Sequence, residues 1–124
     1  MLQRFLLVLL LSLPLAQTAF AQAQNVGPDQ TGELIWRDAS CYFFVVKIDD
    51  ENFSLFEFLG GPSPTVGNVF EGKLSAFGTR KIDNKTEGKP TMVYSEVFGL
   101  PKAKMDKKIP RQCKHKKEFE ALPG

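Results

Sequence analysis

Histidine, cysteine and tryptophan are scarce in this chain of 124 residues, which has one His, two Cys and one Trp. A hydrolase triad needs a histidine held between a nucleophile and a carboxylate, and no spacing around His115 indicates one. Structural zinc sites need several Cys and His at short spacing, which Cys41, Cys113 and one histidine do not supply. We therefore predict no catalytic residue, no metal site and no cofactor. We expect His115 to be solvated, with its protonation disfavoured by Lys114 and Lys116.

Long apolar runs are missing after the N-terminal segment. Phe5 to Leu11 is an unbroken apolar run, and Ala19-Phe20-Ala21 then places small residues where a signal peptidase cuts. A bilayer span needs about 20 apolar residues; this run is shorter, and its continuation past Ser12 contains Pro14. We predict that residues 1–21 are a cleavable signal peptide, with a cut after Ala23 as the alternative. The mature chain would then have no integral membrane segment and would be secreted or periplasmic.

The two cysteines form the one possible intramolecular pair in the chain. In an exported protein such a pair predicts a disulfide between Cys41 and Cys113, and two free buried thiols are the alternative. In the ideal chain model, closing this loop removes about 4 kcal/mol of unfolded-chain entropy. A domain of this size is typically stable by only about 5–15 kcal/mol, so the bridge would contribute a large share.

Short segments rich in β-branched and aromatic residues predict a mainly β protein with little helix. Five strands are expected, at Thr31–Arg37, Cys41–Ile48, Phe53–Leu59, Val69–Phe77 and Thr91–Phe98. Polar or Gly/Pro-rich stretches separate them, at residues 49–52, 60–64 and 83–89. Gly72 predicts a bulge or a tight bend within the fourth strand.

The order of a long strand, a hairpin, a Gly/Pro loop and a glycine-bent strand resembles an OB-fold barrel. The resemblance rests on Gly32-Glu33-Leu34, Phe44-Val45-Val46, Asp49-Asp50 and the segment from Val66 to Leu74. It implies a small five-stranded barrel or bent sheet. A lipocalin-like barrel, an SH3-like barrel or a partial sandwich stays open.

The domain boundaries follow from these segments. A flexible lead-in is expected at residues 22–30, the β-barrel core at 31–99 and a basic C-terminal tail at 100–124. Two prolines, Pro101 and Pro110, prevent one long helix, so the tail is predicted to be irregular or short-helical. The disulfide would tie this tail back to the sheet.

Charge and aromatic residues are unevenly distributed. Residues 22–99 hold 7 Lys/Arg and 11 Asp/Glu, a net charge of −4, whereas residues 100–124 hold 8 and 3, a net charge of +5. The chain has 11 Phe, and neighbours such as Phe43 and Phe44 fall on opposite faces of one strand. The tail therefore either covers the second face, which we favour, or leaves its aromatics as a binding surface.

These features predict an exported, non-enzymatic binding or interaction module. It would recognise a protein or an anionic polymer through an aromatic β face and the basic tail. The candidate contact residues are Phe43, Phe58, Lys104, Lys107, Lys108, Arg111 and Lys114. A small secreted enzyme inhibitor that presents the Gly60–Gly67 loop, or an enzyme, is the alternative. The sequence leaves the partner and the oligomeric state open.

Two segments match the acceptor pattern for N-glycosylation. They begin at Asn52 and Asn84. The pattern matters only in a eukaryotic secretory pathway, and the sequence suits a bacterial source equally well.

Overall fold

The computed structural model describes residues 27–124, which form six β-strands followed by two short helices. The strands are β1 (Gln30–Asp38), β2 (Phe43–Asp49), β3 (Asn52–Gly60), β4 (Val69–Gly72), β5 (Gly78–Asn84) and β6 (Lys89–Leu100). The helices are α1 (Lys102–Met105) and α2 (Lys116–Glu120). The predicted signal peptide and residues 22–26 of the predicted lead-in lie outside the described residues.

The six strands close into one barrel, in the order β1-β2-β3-β6-β5-β4. The chain forms two meanders, β1-β2-β3 and β4-β5-β6, which are joined by the β1–β4 and β3–β6 pairs. Every pair is antiparallel, and only an even number of strands can close such a ring. The prediction of a small β-barrel with short tail helices is confirmed. The prediction of five strands, the number in an OB-fold, is wrong.

The strand that the sequence did not reveal is β5. The predicted fourth strand ends at Gly72, whose φ of 142° turns the chain. A separate strand then begins at Gly78, and its last two residues were expected to belong to a polar turn. Ile82 is the one large apolar side chain in this strand, so the apolar pattern that predicts strands is missing. Pairing along β6, from Gly78 opposite Ser95 to Asn84 opposite Lys89, determines its conformation instead.

The barrel interior holds the first of two apolar clusters. Its buried members, which we call the inner cluster, are Leu34, Phe44, Val46, Phe56, Phe70, Leu74, Ile82 and Val93. Aromatic contacts connect three of them, since the ring centroid of Phe44 lies 5.5 Å from that of Phe56 and 5.7 Å from that of Phe70. Each strand contributes every second residue to this interior. One face of each strand is therefore apolar.

The second apolar cluster lies outside the barrel, between the sheet and the tail. This outer cluster consists of Trp36, Val45, Phe53, Leu55, Met105, Ile109, Cys113 and Phe119. Strand β2 supplies both clusters: Phe44 and Val46 face inward, Val45 faces outward, and all three are 0% exposed. The tail therefore covers part of the outer aromatic face.

Asn84 is buried where β4 and β5 meet. Its Nδ2 donates a hydrogen bond to Asn68 Oδ1 at 2.9 Å, and its side chain is 1% exposed. That nitrogen is the atom that glycosylation would modify, so the fold encloses this acceptor. Asn52, the other acceptor, lies half-buried at the β2–β3 turn, where its Nδ2 donates to the Asp49 carboxylate.

Candidate interaction site

The tail is fixed to the barrel by four apolar side chains at intervals of four to six residues. Met105, Ile109, Cys113 and Phe119 are all at most 3% exposed and lie in the outer cluster. The Phe119 ring meets Trp36 edge-on, with 5.7 Å between centroids. Burying four such side chains contributes several kcal/mol towards ordering a segment whose helices are only four and five residues long.

A disulfide between Cys41 and Cys113 joins the tail to the loop before β2. The predicted pairing is therefore confirmed. The bridge joins residues that are 72 positions apart in the sequence. It links the loop after β1 directly to the segment between the two tail helices.

Asp38 lies beside the disulfide and joins the tail to the end of β1. Its carboxylate is 0% exposed and accepts hydrogen bonds from the backbone N–H and the hydroxyl of Ser40. On the tail side it accepts from the backbone N–H of His115 at 2.7 Å and contacts Nδ1 of the same residue at 3.1 Å. Trp36 adds a further bond, from Nε1 to the His115 carbonyl oxygen at 3.1 Å.

The pKa values of this pair move in opposite directions. Burial by itself would raise the pKa of the Asp38 carboxyl, but the hydrogen bonds from Ser40 and His115 outweigh burial and hold that pKa well below its usual range. The side-chain hydrogen bond to Asp38 and its negative charge raise the pKa of His115. His115 is exposed, as expected of a solvated residue, but the expectation that its protonation is disfavoured is wrong, because Asp38 outweighs Lys114.

Most cations of the tail remain exposed or half-exposed. We call the exposed or half-exposed set the cationic rim; it consists of Lys104, Lys107, Lys108, Arg111, Lys114, Lys116 and Lys117. Within residues 27–124, none of these side chains has a carboxylate within 4.0 Å. Five of the predicted contact residues, all except Phe43 and Phe58, belong to this rim.

Lys102 differs from the cations of the rim. Its side chain is 7% exposed, and its Nζ donates to the Glu120 carbonyl oxygen at 3.0 Å and lies 3.5 Å from an Asp106 oxygen. The same Nζ lies 4.9 Å from the centroid of the Phe119 ring. This lysine connects the two tail helices and is not available to a partner.

The two predicted aromatic contact residues lie on different sides of the sheet. Phe43 is half-buried against the outer cluster, whereas Phe58 is half-buried against the inner cluster. Only Phe43 therefore lies on the side that the tail partly covers. Their role in binding stays a prediction.

A groove of about 110 Å³ separates the tail from the uncovered part of the outer sheet face. Its lining residues are Phe43, Leu55, Glu57, Tyr94, Glu96, Val97, Lys108 and Pro110. Phe43, Glu57 and Tyr94 are directly opposite one another on β2, β3 and β6, so their side chains share one face. The groove thus combines aromatic rings with carboxylates. Sequence reasoning missed this groove; the one local signal is Glu57, a carboxylate within the otherwise apolar run from Leu55 to Leu59.

A second cavity of about 290 Å³ lies at the β5–β6 turn. Asp83, Asn84, Lys85, Gly88, Lys89 and Pro90 line it. The Gly60–Gly67 loop is the segment that a small enzyme inhibitor would present to its target. In the structure this loop is held to the barrel by hydrogen bonds. Gly67 N–H donates to the Leu34 carbonyl oxygen, and Thr65 N–H donates to Asn68 Oδ1. Val66 at its tip is 59% exposed.

Ser40, Asp38 and His115 have the composition of a hydrolase triad, but their hydrogen bonds follow a different order. The Ser40 hydroxyl donates to Asp38 Oδ1 at 2.6 Å and accepts from the Lys114 N–H. A nucleophilic serine instead needs a hydrogen bond to the histidine.

Ligand atoms of Asp38, Cys41 and Cys113 lie within 4.8 Å of one another, but both sulfurs are engaged in the disulfide. This corner is suited to fixing the tail.

Comparison with protein-family models, with curated proteins and with solved structures finds no match for this chain. In the described part of the chain, no helix has the length and apolar character that crossing a membrane requires. The arrangement of residues 27–124 therefore carries the functional inference.

Proposed function

We propose that this protein is an exported, non-enzymatic interaction module whose cationic rim binds an anionic polymer. The observation that carries the proposal is that the apolar and the cationic side chains of the tail have separate roles. Four apolar side chains and a disulfide hold the tail against the barrel, while seven cations stay exposed or half-exposed without carboxylate partners among residues 27–124. Export is supported by the predicted signal sequence together with the disulfide.

A fixed cationic surface has a physical advantage over a mobile basic tail. Ordering a chain segment takes about 1–2 kcal/mol per residue of backbone entropy, and folding has already ordered this one. A polyanion would therefore meet cations whose backbone positions are set in advance. Release of counterions from the polymer would supply most of the affinity and would make binding weaken steeply with salt.

The matched experiment compares two double variants that remove the same charge. In K104Q/K107Q the two lysines belong to the rim; in K81Q/K89Q they are exposed on β5 and at the start of β6. Binding to heparin, alginate and single-stranded DNA is measured by fluorescence anisotropy over a range of salt concentrations. Because each lost contact reduces the salt slope by about 0.7–0.9, the rim variant should lose about ten-fold in affinity and the control much less.

The three polymers identify the chemistry that the rim prefers. Sulfate, carboxylate and phosphate groups are each represented, so a single strong binder would define the ligand class. Equal losses in both double variants would reduce the effect to net charge and would contradict a rim site. Binding that does not respond to salt would contradict the electrostatic basis of the proposal.

A further inference from the structure

We propose that the groove between the tail and the sheet binds the cationic side chain, arginine or lysine, of a partner polypeptide. We call it the acidic groove, after Glu57 and Glu96 in its lining. This surface is separate from the cationic rim in charge and in ligand. The inference does not depend on the proposed binding of anionic polymers.

The acidic groove lies on a row of side chains that crosses four strands. The row follows the strand order β2, β3, β6 and β5. Each residue in it pairs directly with the next: Phe43 with Glu57, Glu57 with Tyr94, and Tyr94 with Thr79. The Phe77 ring extends the row, since it meets Tyr94 edge-on with 6.1 Å between centroids. A carboxylate is thus placed between two aromatic side chains of neighbouring strands.

Apolar side chains surround this row and remain exposed. Phe77 is 64% exposed and Tyr42, the residue before Phe43, is 60% exposed; Leu59, two residues beyond Glu57 on β3, is 48% exposed. Tyr42 also has a φ of 61°, a left-handed conformation that bulky residues rarely adopt. The described residues have five exposed large hydrophobic side chains, and these three lie near the row that contains Glu57. Exposed apolar groups clustered in this way are typical of protein-binding surfaces.

The electrostatics of the acidic groove favour a positive charge. Glu57 and Glu96 have no Lys, Arg or His nitrogen within 4.0 Å in the part of the chain that the structure describes. Burial, the charge of Glu96, the hydrogen bond that the Tyr94 hydroxyl donates to Glu96 at 3.3 Å and the charge of Glu57 raise the pKa of Tyr94, so the site disfavours a further negative charge. Cations bind well over aromatic rings and between carboxylates. The groove and its occupant would thus be complementary in charge.

The size of the acidic groove indicates that it takes one side chain. Its volume is about 110 Å³, whereas pockets for drug-sized ligands measure about 300–1,000 Å³. A guanidinium or ammonium group fits such a volume, and the apolar surroundings suit the neighbouring residues of the partner. We therefore expect a cationic residue flanked by apolar ones.

Lys108 provides an internal test of this assignment. It lines the acidic groove from the tail and also belongs to the cationic rim. Its charge should repel a cationic ligand from the groove and attract a polyanion to the rim. Replacing Lys108 with glutamine should therefore strengthen the first interaction and weaken the second.

The experiment uses a peptide pair that differs in charge alone. Acetyl-leucyl-arginyl-leucine amide is titrated into the full mature protein by NMR, beside the same peptide with neutral citrulline in place of arginine. We expect the arginine peptide to bind with a millimolar dissociation constant and to shift the signals of Phe43, Tyr94 and Glu96. The citrulline peptide should bind about ten-fold more weakly, as should the arginine peptide to E57Q/E96Q.

The matched control is E33Q/E87Q, which removes two exposed carboxylates elsewhere on the barrel, and it should leave binding unchanged. K108Q should bind the arginine peptide more tightly than the wild type does. Equal binding of the two peptides, or no binding of either, would overturn the proposal, and this readout needs only the wild-type protein. Sedimentation that shows self-association lost in E57Q/E96Q would assign the acidic groove to a second copy of this chain instead.

Discussion

The inner and outer clusters lie on opposite faces of the same strands, yet they depend on different parts of the chain. The inner cluster is enclosed by six hydrogen-bonded strands that close on themselves. The outer cluster takes half of its buried members from the tail. A closed sheet holds its interior through its own ladder, whereas the tail has two helices of four and five residues and needs other attachments.

Those attachments are concentrated at one corner of the molecule. The Cys41–Cys113 disulfide, the Asp38 carboxylate and the Trp36 indole all connect the end of β1 with residues 113–115. The difference between the inner and outer clusters indicates that the barrel is the folding unit. The tail is then a cover, a segment that packs on the outer face of the barrel and is attached to it. Loss of an inner side chain should then unfold the whole domain, and loss of an attachment should release the cover first.

The largest effect is expected in the inner cluster. Phe56→Ala removes a ring that is 0% exposed, and we expect a loss of about 3–5 kcal/mol in the free energy of unfolding. Urea denaturation monitored by circular dichroism measures this loss. Phe77→Ala is the matched control, because that ring is 64% exposed and its removal should change stability by less than about 0.5 kcal/mol. Similar losses in both variants would contradict the assignment of the core.

The next largest effect is expected from the disulfide. The double variant C41S/C113S should lose roughly 2–4 kcal/mol, since the unfolded chain regains the entropy of a 72-residue separation. Native-state hydrogen exchange should show that amide protection falls first in residues 101–122 and that the β-strands keep theirs. If instead protection is lost uniformly, the tail and the barrel form one cooperative unit and the division drawn between the two clusters is wrong.

The smallest effect is expected at the Asp38–His115 contact, and it depends on pH. The folded-state pKa of His115 is raised, so its contribution to stability is complete below the unfolded pKa of about 6.5 and is lost as the pH rises through the folded value. The lowered pKa keeps Asp38 ionised throughout that range. Urea denaturation at several pH values between about 5 and 9 should therefore show a smaller pH dependence in H115Q than in the wild type.

Lys117→Gln is the control for this measurement, because Lys117 is an exposed cation of the same tail. It should retain the pH dependence of the wild-type protein. An unchanged pH dependence in H115Q would show that the contact with Asp38 does not couple protonation to folding.

The segments that sequence reasoning located correctly have a strong local pattern. β2 carries β-branched or aromatic side chains at five of its seven positions, and β3 carries three phenylalanines and two leucines among its nine; such residues favour strands wherever they lie. β5 lacks this pattern, and only its pairing with β6 makes it a strand. The raised pKa of His115 was missed for the same reason: its neighbours in sequence are lysines, whereas its partner Asp38 lies 77 residues away.

The candidate sites show the same limit. The rim lysines could be identified in the sequence because any segment with eight cations and three acids presents some of them to solvent. The acidic groove could not be identified, because Phe43, Glu57 and Tyr94 are brought together by strand register. Lys102 could not be separated from the rim either, since its burial depends on how α1 and α2 meet.

The sequence by itself determined the mainly β character, which two cysteines could pair and the opposite charges of body and tail. These properties follow from composition, local pattern and the presence of a single cysteine pair. Only the tertiary structure decided the sixth strand, the cover over one face and the separation of the cationic rim from the acidic groove. Each of these depends on contacts between residues far apart in the chain, which local patterns do not encode.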